Sequence, residues 1–129
     1  MKNKKGFTLI ELLVVISIIG VLSLMGLRLY LGQQDKAKNA IVKANAGTVQ
    51  TLIQAELADE NVTLGGAVDI AKAAGLHNPF NGVSMNTAGW FSESTITPGQ
   101  IQITLSGGVF FIQGCGADGL FPNILTARK

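Results

Sequence analysis

An unbroken apolar run near the N-terminus constrains this chain more than any other feature. The residues from Phe7 to Leu27 include a single charged side chain, Glu11. A helix over this run would be about 30 Å long, which matches the hydrocarbon core of a bilayer. Only 14% of the whole chain is charged, against about 25% in an average soluble protein. The run therefore predicts a membrane-spanning helix joined to a small water-facing domain.

Composition excludes several other classes of protein. The chain is 47% hydrophobic with a net charge of +2, so it can bury enough apolar surface to avoid disorder. Three prolines and one cysteine, Cys115, exclude a collagen and a disulfide-stapled scaffold. No basic stripe is interleaved with aromatic residues, so we predict no direct nucleic-acid site. The positive net charge itself comes from Lys2, Lys4 and Lys5, which precede the apolar run.

A basic segment followed by an apolar run has several interpretations. A secretory signal peptide has an apolar centre of only about 7 to 15 residues and a small-residue cleavage site, whereas this run ends in Arg28-Leu29-Tyr30. A single-span anchor would keep the lysines in the cytoplasm and the C-terminal part outside. Such an anchor could present the C-terminal part as a membrane-anchored binding module, an alternative that stays open.

The carboxylate of Glu11 needs an explanation of its own. An ionised side chain within a bilayer costs about 2.5 to 3.5 kcal/mol on insertion scales. Glu11 could extend to the cytoplasmic interface, or it could neutralise a positive charge on a neighbouring chain. A cut after Gly6 would create such a charge, the α-amino group of Phe7, one helical turn before Glu11. The residues alone leave both interpretations open.

The segment from Lys4 to Val15 reads KKGFTLIELLVV. It resembles the prepilin cleavage motif of type IV pilins and type II secretion pseudopilins, which combines a basic leader, Gly, Phe, a small polar residue, two aliphatics, Glu and an apolar helix. The resemblance implies that a prepilin peptidase cleaves between Gly6 and Phe7 and N-methylates Phe7. It also implies that Glu11 pairs with the α-amino group of an adjacent Phe7 during assembly.

The same resemblance implies an architecture and a location. We expect a structural subunit of a type IV pilus-like filament, held first in the bacterial inner membrane as a single-pass precursor with a cytoplasmic N-terminus. It then joins an extracellular or periplasmic filament with identical or related subunits and an inner-membrane assembly platform. The alternative within the family is a type II secretion pseudopilin. The expected parts are a leader (1–6), a transmembrane and filament-core helix (7–31), an amphipathic continuation (32–58) and a globular head with an αβ-loop and antiparallel strands (59–129).

One position departs from the family pattern. Many pilins and pseudopilins carry a proline about 22 residues into the mature chain, where this sequence has Arg28. Gly20, Gly26 and Gly32 each lower helix propensity by about 1 kcal/mol relative to alanine. They indicate either close helix packing in a bundle or a segment that extends when the filament is stretched, and both interpretations stay open.

Beyond the apolar run, helical periodicity continues to about Ala58 with no proline before Pro79. The predicted helix, from about Thr8 to Ala58, would be near 75 Å long. We predict that its second half packs an apolar stripe against the head. That stripe comprises Ala37, Ile41, Ala44, Thr48, Leu52 and Ala55, broadened by Val42, Val49, Ile53 and Leu57.

The C-terminal sequence predicts an α+β head with a small antiparallel sheet, as in the pilin fold. A short helix is expected over Ala67–Ala74, and a short strand near Trp90-Phe91. Alternation over residues 100–105 predicts a strand, Gly107-Gly108 a two-residue turn, and 109–113 the returning strand. Residues 114–119 are expected to form a glycine-rich loop, and 120–125 a third strand. The predicted buried sheet residues are Ile101, Ile103, Leu105, Val109 and Phe111, packed with Leu52 of the helix.

No set of residues predicts an enzyme, a cofactor site or a metal site. His77 is the single histidine and precedes an Asn-Pro turn signal. Cys115 is expected to be a small buried residue, with an intersubunit disulfide as the alternative. Asp118-Gly119 is expected to be a turn, because calcium needs six to eight oxygen ligands and no second carboxylate lies nearby in sequence.

Overall fold

The computed structural model describes residues 5–91 and 97–129. Helix α1 spans Leu9–Asp59 and helix α2 spans Leu64–Ala73, followed by a 3₁₀ helix at Ala88–Trp90. The described part contains strands β1 (Ile101–Ser106), β2 (Val109–Gly116), β3 (Gly119–Leu120) and β4 (Leu125–Ala127). The chain divides into two compact units, Met1–Gln34 and Asp35–Lys129, and α1 contributes to both. The predicted α+β class, with a long helix and a small antiparallel sheet, is confirmed.

From Leu12 to Leu27, α1 carries no charged side chain and is apolar on every side. It continues without a break through Gly20, Gly26 and Arg28. A helix that is hydrophobic all round must be covered by other protein or by lipid. Within the described residues, nothing in the first unit covers the apolar surface of the helix.

In the second unit, α1 packs one face against the sheet. Its buried residues follow i, i+3/i+4 spacing and are Val42, Ala46, Val49, Ile53 and Leu57. The predicted main stripe was wrong by one position, since Ile41 and Leu52 are exposed. The residues expected only to broaden that stripe face the core, together with Ala46, which neither predicted set contained. The apolar area of the side chains explains this difference. Alanine and threonine at positions 37, 44, 48 and 55 would bury little apolar surface, whereas valine, isoleucine and leucine bury more.

Strand β2 is central and pairs antiparallel with β1, β3 and β4. The predicted two-residue turn is confirmed at Gly107-Gly108, where φ is 59° and 79°, values that glycine adopts without steric cost. This turn sets the register of the hairpin, with Ile103 opposite Ile112. Residues directly opposite each other share one face of a sheet.

The predicted inner face of β2 was wrong. Phe110 and Ile112 are buried, whereas Val109 and Phe111 are half-buried. A shift of one residue moves every side chain of a strand to the other face, and the adjacent pair Phe110-Phe111 gives no local preference. Leu105 lies opposite Phe110 but is 40% exposed, because it lies next to the turn at the end of the hairpin.

Other boundaries also differ from the predictions. Helix α2 begins at Leu64, three residues before its predicted start, because the Thr63 side chain caps it by accepting from the Gly66 N–H. The strand expected near Trp90-Phe91 is a 3₁₀ helix ending at Trp90. The expected glycine-rich loop largely belongs to β2 and β3, and the expected third strand is divided between β3 and β4. Glycines permit this extended pairing because they offer no side chain that opposes the neighbouring elements.

Small residues let β2 approach α1 closely. A Cβ on Gly114 would lie 2.8 Å from Cγ1 of Val42, and a Cβ on Gly116 would lie 2.7 Å from Oδ1 of Asn39. Both distances are shorter than non-bonded heavy atoms tolerate. The same close approach lets Oδ1 of Asn39 accept from the Ala117 N–H at 3.0 Å. The sequence motif that looks like a flexible loop is therefore a packing surface.

Candidate processing and assembly site

The predicted cleavage site lies just before α1. Lys5, Gly6, Phe7 and Thr8 have non-helical backbone, and the helix begins at Leu9. Phe7 is 84% exposed. No atom lies within 4 Å of the position that a Cβ on Gly6 would occupy. The Gly6–Phe7 peptide bond is therefore outside the helix and accessible to another protein.

Thr8 and Glu11 form a reciprocal pair of hydrogen bonds at the start of α1. The Thr8 N–H donates to Oε2 of Glu11 at 2.9 Å, and the Glu11 N–H donates to Oγ1 of Thr8 at 3.4 Å. This arrangement is a capping box, with Thr8 at the N-cap and Glu11 at the third helical position. It satisfies two of the backbone N–H groups that a helix start otherwise leaves without partners.

The capping box also orients the Glu11 carboxylate. Its oxygen is bonded to the amide next to Phe7, so the negative charge faces the N-terminal end of the helix. Phe7 and Glu11 line one shallow surface groove, together with Ile10, Val14 and Val15. The helix dipole favours an acidic group at this end. The structure thus brings two of the three predicted site residues to one surface, while their roles in processing and assembly stay predictions.

Thr8 was not singled out as a functional residue from the sequence. Its signal is present, however, because Ser or Thr followed three residues later by Glu, before an apolar run, is the sequence pattern of a capping box. For the carboxylate of Glu11, the sequence indicates either a partner on another chain or a position at the membrane interface. Its partner within the described chain is the Thr8 amide.

The remaining surface of the N-terminal unit is a continuous apolar exterior. From Phe7 to Leu31, its large apolar side chains are between 45% and 84% exposed. The hydroxyls of Ser17 and Ser23 each donate to a carbonyl four residues earlier, at 2.7 Å. Satisfying polar groups within the helix is what an apolar surrounding requires. By length and composition, α1 contains one candidate membrane span within the described residues.

The head residues considered for chemistry have structural surroundings. His77 forms an isolated bridge with Ser84, and its carbonyl accepts from Nδ2 of Asn45 at 3.1 Å. Cys115 is a buried free thiol, as predicted, and burial raises its pKa. Asp118 lies in the turn between β2 and β3, as expected. Within residues 5–91 and 97–129, no group of three or more His, Cys, Asp or Glu could hold a metal ion.

Comparisons with known proteins agree with this geometry. Residues 1–27 match the family model described as the prokaryotic N-terminal methylation motif. The chain is 43% identical over 58 residues to the fimbrial protein EcpB of Eikenella corrodens, an alignment covering 45% of this chain and 36% of that protein. It is 36% identical over 87 residues to a probable minor fimbrial protein of Dichelobacter nodosus, covering 67% of this chain and 55% of the relative. No solved structure matches the chain significantly.

The methylation motif and the fimbrial relatives together support the type IV pilin family, so the resemblance stated from the sequence is confirmed. The alignments span between about a third and just over half of the length of these relatives. Fimbrial proteins are structural subunits, and the comparisons therefore support a structural rather than an enzymatic role. A membrane-anchored precursor that becomes part of a fimbrial filament fits both the motif and the apolar helix.

Proposed function

We propose that this protein is a filament-forming pilin that is cut between Gly6 and Phe7 by a prepilin peptidase and N-methylated at Phe7. Before assembly, its apolar helix holds it in the inner membrane with the lysine-rich leader in the cytoplasm. In the filament, helices from neighbouring subunits cover one another's apolar surface. Glu11 pairs with the α-amino group of Phe7 on an adjacent subunit.

One observation carries this proposal: the scissile bond and the single acidic group of the apolar run both lie at the accessible start of α1. The Gly6–Phe7 bond is outside α1, and the Glu11 carboxylate is held toward the same end of the helix. An amine created there would meet a carboxylate in surroundings of low dielectric. Such a pair favours one relative position of two subunits, because a shift leaves both charges unpaired.

A pilus-type filament is favoured over a secretion pseudopilus by the relatives. Both proteins described above are named as fimbrial, and one of them as a probable minor fimbrial protein. Electron micrographs of cells that express the protein test this choice, with labelled surface fibres as the expected result. Short fibres confined to the periplasm, together with a secretion defect in a deletion strain, would favour the pseudopilin instead.

Intact mass of the purified protein tests the processing step. The expected species begins at Phe7 and carries one additional methyl group. A membrane-anchored binding module would keep residues 1–6, and its mass would show them. Recovery of the full chain alone, from cells with an active peptidase, would contradict the proposal.

The substitution Glu11→Gln tests the assembly step. Glutamine keeps a carbonyl oxygen that can accept from the Thr8 N–H, and therefore keeps the capping box, but it removes the charge. We expect Glu11→Gln and Glu11→Ala subunits to accumulate in the membrane while filament yield falls at least about tenfold, the factor for roughly 1.4 kcal/mol of lost pairing.

Asp35→Asn is the matched control, because it makes the same carboxylate-to-amide change on an exposed residue of the same helix. It should leave filament yield at the wild-type level. Wild-type yield from Glu11→Gln would contradict the role of the charge.

A further inference from the structure

The position at which α1 begins decides whether the scissile carbonyl is free. The C=O of an N-cap residue accepts the first hydrogen bond within the helix. Here that carbonyl belongs to Thr8, which accepts from the Leu12 N–H at 3.3 Å. The Gly6 carbonyl lies two residues before the cap. It is therefore outside the hydrogen-bond ladder of the helix.

A shift of the helix start toward the N-terminus would change this. The nearest upstream residues of types that occur at N-caps are Gly6 and Asn3. A helix capped by either residue would include Phe7. With Gly6 as the cap, the Gly6 carbonyl would accept from the Ile10 N–H, and the scissile bond would enter the first turn.

A peptidase needs that carbonyl free. Hydrolysis of the Gly6–Phe7 bond adds one water, leaving a carboxylate on Gly6 and an amine on Phe7. The attacking oxygen must reach the carbonyl carbon, while the developing oxyanion needs hydrogen-bond donors from the enzyme. A carbonyl oxygen already bonded within a helix is not available to those donors.

We propose that Thr8 is a positioning residue for precursor processing, which rests on the proposed cleavage after Gly6. The Thr8 hydroxyl and the Glu11 carboxylate fix the start of α1 at Leu9, so that the bond between Gly6 and Phe7 stays extended and open to the peptidase. Thr8 acts through backbone conformation. It is not a residue that the peptidase has to contact.

Three substitutions at Thr8 separate capping from recognition. Thr8→Val keeps the shape of threonine but loses the hydroxyl that accepts from the Glu11 N–H. Thr8→Ser and Thr8→Asn retain a capping oxygen on side chains of different shape. Ser17→Ala is the control, because its hydroxyl bonds only within the helix. Full-length precursors are pulse-labelled in cells that contain the peptidase, and the ratio of precursor to product is followed by mass.

We expect Thr8→Val to be processed about fivefold more slowly, the factor that corresponds to loss of one helix cap. Thr8→Ser, Thr8→Asn and Ser17→Ala should remain within about twofold of wild type. Rescue by both serine and asparagine would support capping, because the two side chains share a capping oxygen but not a shape.

The outcomes that overturn the inference differ from those that overturn the proposed function. If wild type is cut after Gly6 and Thr8→Val is cut at the same rate, the positioning role is wrong while the processing site stands. If Thr8→Asn is as slow as Thr8→Val, the peptidase recognises the threonine itself, and capping is wrong. If wild type is not cut after Gly6, the proposed function fails first.

Discussion

At the scale of single residues, Gly116 is a position in the head where one added methyl group meets packed side chains. A Cβ there would lie 2.6 Å from Cε1 of Phe121 and 2.7 Å from Oδ1 of Asn39. We expect Gly116→Ala to lower the free energy of unfolding by about 1 to 3 kcal/mol, the usual cost of overpacking. Urea unfolding of the full chain in detergent, followed by the fluorescence of Trp90, measures this.

Gly47→Ala is the matched control for that substitution. Gly47 lies inside α1, and no atom lies within 4 Å of the position of an added Cβ. Alanine should therefore raise the free energy of unfolding, by up to about 1 kcal/mol, through helix propensity alone. Equal unfolding free energies for Gly116→Ala and wild type would show that the side chains of Phe121 and Asn39 move away from the added methyl group without cost.

The two halves of the capping box differ in how easily the sequence reveals them. Glu11 is conspicuous because a charge within an apolar run demands a partner. The residue type of Thr8 does not indicate a special role, because a small polar residue at the edge of an apolar run costs little free energy on transfer into a membrane. Only the spacing of the two residues identifies the pair, and its geometry follows from where the helix begins.

At the scale of elements, the sequence predicts which helices and strands form more readily than which of their faces is buried. Periodicity was sufficient for α1, and the Gly107-Gly108 turn was sufficient for the hairpin of β1 and β2. The buried face of β2 could also be predicted from the turn. A two-residue turn places Phe110 opposite Leu105 and so fixes which side chains of the two strands share a face. The sequence does not predict β3 and β4 as two separate strands. Their pairing with β2 defines these short strands, and local alternation of polar and apolar residues does not.

The end of β4 is held by side chains of α1. Nε2 of Gln54 donates to the Arg128 carbonyl at 2.7 Å, and the Arg128 N–H donates to Oε1 of Gln54 at 3.1 Å. Nε2 of Gln50 donates to the Thr126 carbonyl at 2.8 Å. An amide side chain thus continues the backbone pairing beyond the sheet. Each such bond contributes about 1 kcal/mol to stability.

Gln54→Ala should therefore release the C-terminal strand before the rest of the head. We expect amide hydrogen exchange at Arg128 to accelerate by about tenfold or more, because two bonds are lost together. Exchange in β1 should change little. Thr51→Ala is the control, since its hydroxyl bonds to the Gly47 carbonyl within the same helix. Unchanged exchange at Arg128 in Gln54→Ala would show that the two Gln54 bonds do not hold this end of the chain.

At the scale of the whole molecule, the buried residues of the core cluster all fall in one of the two compact units. The buried core cluster is contained between Ala46 and Ala127, within the second unit. The large apolar residues from Phe7 to Leu31 are all exposed. A soluble protein rarely exposes so much contiguous apolar surface. The apolar surface of the first unit therefore has to be covered by lipid or by other protein, whereas the second unit carries its own core.

This division predicts that the head folds without the apolar helix. A chain that begins at Gln34 retains every residue of the core cluster, and it places Asp35 in the first turn of the shortened helix, where a carboxylate is favourable. We expect it to be soluble without detergent. Its free energy of unfolding should lie within about 1 kcal/mol of the full chain, because every residue of the core cluster belongs to the retained unit and distant, independent sites have nearly additive effects.

Trp90 fluorescence in urea makes the comparison, with the full chain measured in a mild detergent and the truncated head measured with and without that detergent. Gly116→Ala in both backgrounds is the internal control, since its destabilisation should be the same when the head is independent. A truncated head that unfolds at much lower urea concentration, or a Gly116→Ala effect that differs between backgrounds, would show that the N-terminal unit stabilises the head. The free energy of unfolding measured for the full chain would then include a contribution from the N-terminal unit.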